Sequence, residues 1–242
     1  MFRQISASSE RCQKGQQSQL FLEAGMAPEF SKPEIDYHVL RLIVGVIALT
    51  LASLTAFFSS APIESISASY HEGGWARDIF VGFLYAISAF LLAYNGKSVP
   101  EMVMSKTAAV AALGVAMFPC RCGDHVEKIP YVHAISAAIM FVILAGFCRI
   151  FYRTARLKPS RQSDWRASIY AICGAVIILA VGVLALDKVT GGSISSSVER
   201  LTFYGERAGL IAFGISWLVA SLALPVLTAP EERVSVLPLV KK

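Results

Sequence analysis

The sequence predicts an all-α membrane protein, a bundle of six transmembrane helices with both termini in the cytoplasm. Of its 242 residues, 55% are hydrophobic and only 16% are charged, which leaves no room for a separate soluble domain. Six apolar stretches follow one another with short polar segments between them, and the basic residues concentrate in alternate segments. Together these observations are typical of a polytopic membrane protein.

The six predicted spans differ in how well they match the ~20 residues needed to cross the hydrocarbon as a helix. In order, they are Leu42–Phe58, Ile79–Tyr94, Thr107–Pro119, Ile129–Cys148, Ala167–Leu186 and Ala208–Leu227. The last three are long enough as they stand, and the first two reach the required length only if one helical turn of flanking residues is added to each. The third reaches full length only if Val99 to Met104 join the helix and Lys106 extends its ammonium back to the headgroups.

The distribution of the 22 Lys and Arg residues predicts the orientation, because basic loops are retained in the cytoplasm. One side holds 16 of them: Arg3, Arg11, Lys14, Lys32, Arg41, Lys97, Lys106, Arg149, Arg153, Arg156, Lys158, Arg161, Arg166, Arg233, Lys241 and Lys242. The other side holds 6: Arg77, Arg121, Lys128, Lys188, Arg200 and Arg207. We therefore expect a multi-pass protein of a bacterial inner membrane, whose net charge of +5 reflects this retention signal and not nucleic-acid binding.

The chain divides into a membrane domain at 38–228 and two polar ends. Residues 1–37 include a Gln-rich run and lack the apolar core of a signal peptide, so we expect a disordered cytoplasmic leader. Residues 229–242 are expected to form a short cytoplasmic tail. The six basic residues of the fourth loop are expected to contact anionic lipid, at about 1 kcal/mol each, although orientation alone also explains them.

The third loop contains a Cys-x-Cys pair on the predicted outer side. A disulfide between Cys120 and Cys122 is expected to be strained because only one residue separates them. The pair is then reduced, joined to another chain, or bound to a metal beside Asp124 and His125. A lone Cys-x-Cys lacks the paired spacing of a structural zinc site, so the metal interpretation is the less favoured one.

Polar residues on the predicted outer face form the main candidate site. The candidate ligand-binding residues are His133, Glu206, Asp78, Arg77 and His71. Neutral imidazoles and carboxylates are ligands that zinc accepts, and a bound metal would activate water against a lipid ester or amide. His133 lies at the start of a span, where an ionisable group is often functional. The alternative is that these histidines only form hydrogen bonds with loop carbonyl groups.

Two acid-base neighbours, Arg77-Asp78 and Glu206-Arg207, begin the second and sixth spans. Adjacent residues of a helix do not face each other, so we expect crosswise pairs, Arg77 with Glu206 and Asp78 with Arg207. The other option leaves an arginine available for a lipid phosphate. Small residues such as Gly205 in the spans favour close helix packing, and a homo-oligomer stays an open alternative.

Five features in a fixed order carry a resemblance to a known family. They are Ser65-Ile66-Ser67 in the first loop, Arg77-Asp78 opening span two, Phe118-Pro119 closing span three, His133 with Phe141 in span four, and Glu206 opening span six. Over residues 40–227 this order resembles the six-span DRAM/FRAG-like membrane proteins. The resemblance implies a lipid-related role without a settled catalytic activity.

A second resemblance is to the metal-dependent membrane hydrolases of ceramide-like lipids, whose site uses a Ser, an Asp and three His. Ser67, His71, Asp78 and His133 lie on one predicted face, but the His-x-x-x-His pair of those enzymes is absent from the sequence. We therefore expect a protein, not established as an enzyme, that binds or senses a membrane lipid or another amphiphile at the outer face. The alternative is a lipid hydrolase that uses a divalent metal such as zinc.

Overall fold

The computed structural model describes residues 36–123, 125–127 and 129–232, apart from the side chain of Glu231. Nearly all of the predicted leader, most of the predicted tail, and Asp124 of the Cys-x-Cys loop lie outside these ranges. Within them the protein is all α, with seven α-helices, two short 3-10 helices and no strand. The predicted fold class is therefore confirmed at the level of a helical protein.

The helices are numbered in chain order. They are α1 (Tyr37–Phe58), α2 (Ser69–Glu72), α3 (Gly74–Ala93), α4 (Val99–Met117), α5 (Val132–Arg156), α6 (Arg161–Val189) and α7 (Leu201–Ala220), followed by 3-10 turns at Pro225–Leu227 and Pro230–Glu232. Five of them, α1 and α3 to α6, are long and apolar enough to cross a membrane. Helix α7 also has 20 residues, but Glu206 and Arg207 lower its mean hydropathy below that of the five. The described chain thus has the character of a multi-pass membrane protein.

Helices α4, α5 and α7 differ most from the predicted spans, and α5 extends eight residues past its predicted end, to Arg156. Helix α4 begins at Val99, as full length required, with Ser98 as its N-cap and Pro100 in its first turn. Helix α7 begins at Leu201 and ends at Ala220, seven residues earlier at both ends than predicted. It stops because Leu222 adopts a left-handed conformation (φ 57°) that ends the helix, so that Pro225 begins a separate turn.

The six long helices form a ring in which each packs against its neighbours, in the order α1, α3, α4, α5, α6, α7 and back to α1. The contact between α1 and α7 that closes the ring is especially close. A Cβ added at Gly45 would lie 2.9 Å from the backbone nitrogen of Leu218, and one added at Gly214 would lie 2.9 Å from the carbonyl oxygen of Gly45. Glycine at both positions lets the two backbones approach, which is a common basis of helix packing in membranes.

The two ends of this ring differ. At the loop-covered end, which comprises residues 59–73, 118–123, 125–127, 129–131 and 190–200 with the adjoining helix termini, the first loop folds inward and buries Ile63 and Ile66. Arg200 donates from Nε to the carbonyl of Ile63 at 2.8 Å, which ties this loop to the start of α7. At the opposite end, α1, α4 and α6 begin and α3, α5 and α7 end. We call it the basic end, because the fourth loop and its flanks are rich in Arg and Lys.

Candidate functional site: a basic pocket opposite the covered end

Glu206 fastens the first loop to α7 at the loop-covered end. Its Oε2 accepts hydrogen bonds from the backbone nitrogens of Ile66 at 2.6 Å and Ser67 at 3.3 Å, and its Oε1 accepts from the Ser67 hydroxyl at 3.0 Å. Neutral loop groups therefore supply the donors for both carboxylate oxygens. In this geometry, the predicted ligand-binding carboxylate holds a loop in place.

The histidines of the loop-covered end also contact backbone carbonyl groups. The Nδ1 of buried His133 lies 2.7 Å from the carbonyl oxygen of Phe118, and the Nε2 of His71 lies 2.9 Å from that of Cys120. A carbonyl only accepts, so each of these nitrogens carries the proton. The ring of His71 stacks on that of His125, with centroids 4.0 Å apart. Hydrogen bonds to loop carbonyls, the alternative considered from the sequence, are thus the arrangement found for His71 and His133.

Arg77 and Asp78 lie apart from Glu206 and face solvent or lipid. The Nε of Arg77 is 3.5 Å from Oδ1 of Asp78, and both side chains are about half exposed or more, at 49% and 64%. The predicted crosswise pairing of Arg77 with Glu206 is therefore wrong, because Glu206 points into the first loop instead. Such an exposed pair contributes little to stability.

The Cys-x-Cys pair is closed on itself. Cys120 and Cys122 form a disulfide across a Cα–Cα distance of 5.4 Å, the arrangement that the spacing argument disfavoured. That distance lies within the range of about 4.4–6.8 Å that disulfides span. Among the described residues, no group of three or more His, Cys, Asp or Glu side chains is placed to hold a metal ion.

A polar cavity lies at the basic end, away from all the predicted site residues. Its volume is about 80 Å³. The residues that line it are His38, Arg41, Lys97, Glu101, Phe151, Thr154, Ala155, Lys158, Arg166, Tyr170, Ala220 and Leu222. The lining thus includes four Lys or Arg side chains, a histidine and one carboxylate, and we call this cavity the basic pocket.

The floor of the basic pocket is a buried network around Arg41. Its Nη2 is 3.8 Å from Oε2 of Glu101, and both side chains are only 8% exposed. Tyr94 joins the pair, since its hydroxyl accepts from Arg41 and donates to Glu101 at 3.0 Å. Arg41 also donates to the carbonyl of Ala220 at 3.1 Å and lies over the ring of Phe151. The network joins α1, α4, α5 and α7 at one point.

The opposite wall of the basic pocket holds Lys158 and Arg166, which converge on a carboxylate of the C-terminal segment. The Nη2 of Arg166 lies 2.8 Å from Oε2 of Glu232, and the ammonium of Lys158 contacts Oε1. Arg166 also donates to the carbonyl of Leu227 at 3.1 Å. Partial burial opposes ionisation of Glu232, but the hydrogen bonds from Lys158 and Arg166 outweigh it and lower the pKa of this carboxyl.

Comparison with protein-family models, with curated proteins and with solved structures finds no match for this chain. The assignment of the basic pocket as a candidate site therefore rests on the geometry of the structure alone. One local signal was present in the sequence: Ser98 and Glu101 have the spacing of a helix-capping box. In the structure Glu101 accepts from the backbone of Lys97 at 3.1 Å while also reaching Arg41.

Proposed function

We propose that this protein binds an anionic, phosphate-headed lipid, with the headgroup in the basic pocket. The ligand class is the one expected from the sequence, but the site is at the opposite end of the bundle. The observation that carries the proposal is the lining of the basic pocket, which holds four cations, Arg41, Lys97, Lys158 and Arg166, and one carboxylate, that of Glu101. Arg41 is largely occupied by that carboxylate, and Lys158 and Arg166 contact Glu232. A ligand would therefore bind beside Lys97 and take the place of Glu232 against the other two cations.

Glu232 supports this assignment because a carboxylate already lies against two of those cations. Lys158 lies in the α5–α6 loop and Arg166 in the first turns of α6, and they hold one anionic group between them. A phosphate offers the same kind of oxygen acceptors with more charge. Lys158 is half exposed, at 50%, so its ammonium is accessible to an incoming headgroup.

The membrane orientation belongs to the same proposal. We infer that all six long helices cross the membrane and that both termini lie in the cytoplasm, which places the basic pocket at the inner leaflet of a bacterial inner membrane. Support comes from the charge asymmetry of the sequence and from the ring, in which each long helix runs opposite to the previous one. The inner leaflet is also where a basic surface finds anionic lipid.

Thiol labelling tests this orientation. In a variant lacking Cys12, a maleimide that cannot cross the membrane is applied to intact cells carrying either Ala61→Cys or Arg161→Cys. Both positions are exposed, one in the first loop and one at the start of α6. We expect labelling of Ala61→Cys only, and labelling of both after the cells are opened. Labelling of Arg161→Cys in intact cells would place the basic pocket on the outer side.

Lipid titration tests the ligand. Purified protein in phosphatidylcholine nanodiscs is titrated with phosphatidic acid, with glycerol phosphate as a soluble headgroup in a separate arm. We expect Lys158→Gln to weaken phosphatidic acid binding about fivefold, as loss of about 1 kcal/mol from one cation implies. Binding of glycerol phosphate as tightly as the lipid would identify a free phosphate ester as the ligand instead.

Arg153→Gln is the matched control for this titration. Arg153 is an exposed basic residue near the end of α5 that does not line the basic pocket. We expect its loss to leave affinity nearly unchanged. If Lys158→Gln and Arg153→Gln weaken binding equally, the lipid responds to the general charge of this end, and the proposed pocket is not its site.

The outer-face interpretation stays a prediction. A ligand or metal site at His133, His71, Asp78, Arg77 and Glu206 would require the loop contacts of Glu206, His71 and His133 to open first. The DRAM/FRAG-like resemblance likewise stays a prediction, and what it implies, a lipid-related role, agrees with the proposal made from the basic pocket.

A further inference from the structure

A larger apolar groove adjoins the basic pocket. It lies between α5 and α6, with a volume of about 470 Å³, within the ~300–1,000 Å³ range of ligand-binding pockets. Its walls are mostly small or apolar side chains, among them Val142, Ala145 and Gly146 on α5 and Ala171, Gly174 and Ala175 on α6. The short alanine side chains leave the space of the groove open, whereas the two glycines serve packing: a Cβ added at Gly146 would lie 2.6 Å from Met104 Cε, and one added at Gly174 would lie 3.2 Å from Cys148 Cβ.

The groove is continuous with the basic pocket through one side chain. Tyr170 lines both cavities, and its ring packs against Phe151 with centroids 5.5 Å apart. Arg149 and Tyr152 line the groove as well, and both lie in the last two turns of α5, towards the basic end. The polar and apolar cavities therefore meet at Tyr170, towards the basic end of α5 and α6.

We propose that this groove holds an acyl chain of the phosphate-headed lipid whose headgroup lies in the basic pocket. The inference rests on the proposed function, and it adds that the ligand is a membrane lipid with at least one long chain. Lipid tails and apolar helices attract each other no more than lipid tails do among themselves, so a preferred position for one chain requires a shape that fits it. The groove supplies that shape directly beside the cations that would hold the phosphate.

Photocrosslinking tests the position of the chain. Phosphatidic acid with a diazirine in its acyl chain is added to the full-length protein in phosphatidylcholine nanodiscs, and adducts are mapped by peptide mass spectrometry. We expect adducts on residues 142–149 and 171–178, removed by excess unlabelled phosphatidic acid but not by phosphatidylcholine. Adducts spread over all lipid-facing helices without such competition would overturn the inference.

A filled groove separates this inference from the proposed function. Ala171→Phe places a large ring in the groove, and Ala185→Phe places the same ring at an exposed position of α6 outside it. We expect Ala171→Phe alone to remove the groove adducts and to weaken phosphatidic acid binding about fivefold. If both variants and the wild type bind phosphatidic acid with equal affinity, the groove does not hold the acyl chain, but the basic pocket can still be the headgroup site. Wild type that fails to bind phosphatidic acid would overturn the proposed function itself.

Discussion

The two ends of the bundle treat their buried charges differently. At the loop-covered end, Glu206 is bonded to neutral donors of one loop, and the histidines are bonded to backbone carbonyl groups. At the basic end, Glu101 lies within an ion pair, and further cations surround a cavity beside it. A charge whose hydrogen bonds are all met by a loop positions that loop. A surplus of one charge around an open space is what an oppositely charged ligand recognises.

Because of this difference, we expect the loop-covered end to contribute to stability and the basic end to contribute to both stability and lipid binding. Substitutions at Glu206 are expected to alter the fold of the first loop with little effect on lipid affinity. Substitutions around the basic pocket are expected to differ in effect according to how deeply the residue is buried. Arg41 is buried in the network, whereas Lys158 is half exposed and contacts Glu232. The predictions below test that division, from the largest expected effect to the smallest.

Removing one member of the buried ion pair should have the largest effect. Arg41→Met leaves the carboxylate of Glu101 buried without its cation, which typically costs about 3–5 kcal/mol. Denaturant unfolding in micelles, followed by loss of helical circular dichroism, measures this change in the free energy of unfolding. The double variant Arg41→Met, Glu101→Met is the control, since removing both charges should restore most of the loss. Equal loss in the single and double variants would mean that the pair itself is not what stabilises this end.

Glu206→Gln should have a smaller effect, confined to the loop-covered end. The amide keeps one acceptor but turns an N–H group towards the donors of Ile66 or Ser67. We expect the free energy of unfolding to fall by about 2 kcal/mol, as for the loss of a hydrogen bond to a charged group. Proteolysis of the first loop should become faster. The control is Glu199→Gln, the same change at an exposed position of this end, and equal sensitivity of both variants would contradict the fastening role of Glu206.

The sequence predicted the helical class and the approximate position of every long helix, because hydropathy acts locally along the chain. It even specified how α4 reaches full length, with Val99 to Met104 in the helix. The end of α7 was missed because the stop depends on the left-handed backbone of Leu222, a residue type that rarely adopts it.

The basic pocket was beyond sequence reasoning for a different reason. Arg41, Glu101 and Arg166 are far apart in the chain, and only closure of the helix ring brings them to one cavity. In the sequence, Arg41 and the basic fourth loop were already explained by membrane orientation. A retention signal and a ligand site use the same residue types, so composition cannot separate them. The structure adds which of these basic residues share one cavity.

The smallest effect on stability and the most specific effect on binding are expected from Glu232→Gln. Lys158 is half exposed, and Arg166, although only 4% exposed, keeps the carbonyl of Leu227 and the amide oxygen of the introduced Gln as acceptors. The loss of the charge at position 232 should therefore cost about 1 kcal/mol of unfolding free energy. Phosphatidic acid affinity should instead rise about fivefold, because an intramolecular anion no longer competes for Lys158 and Arg166. Unchanged or weaker affinity would show that Glu232 does not compete with the ligand.

Acidification should reproduce this substitution in the wild type. The lowered pKa of Glu232 means that its contribution to stability is complete above the ordinary pKa of a glutamate, and is lost as the pH falls through the folded-state value. Over that interval the wild type should lose the small stability difference that separates it from Glu232→Gln at neutral pH. Unfolding curves of the two proteins at matched pH values measure the convergence. Curves that stay parallel down to the lowest pH would mean that the contacts of Glu232 with Lys158 and Arg166 do not stabilise the folded state.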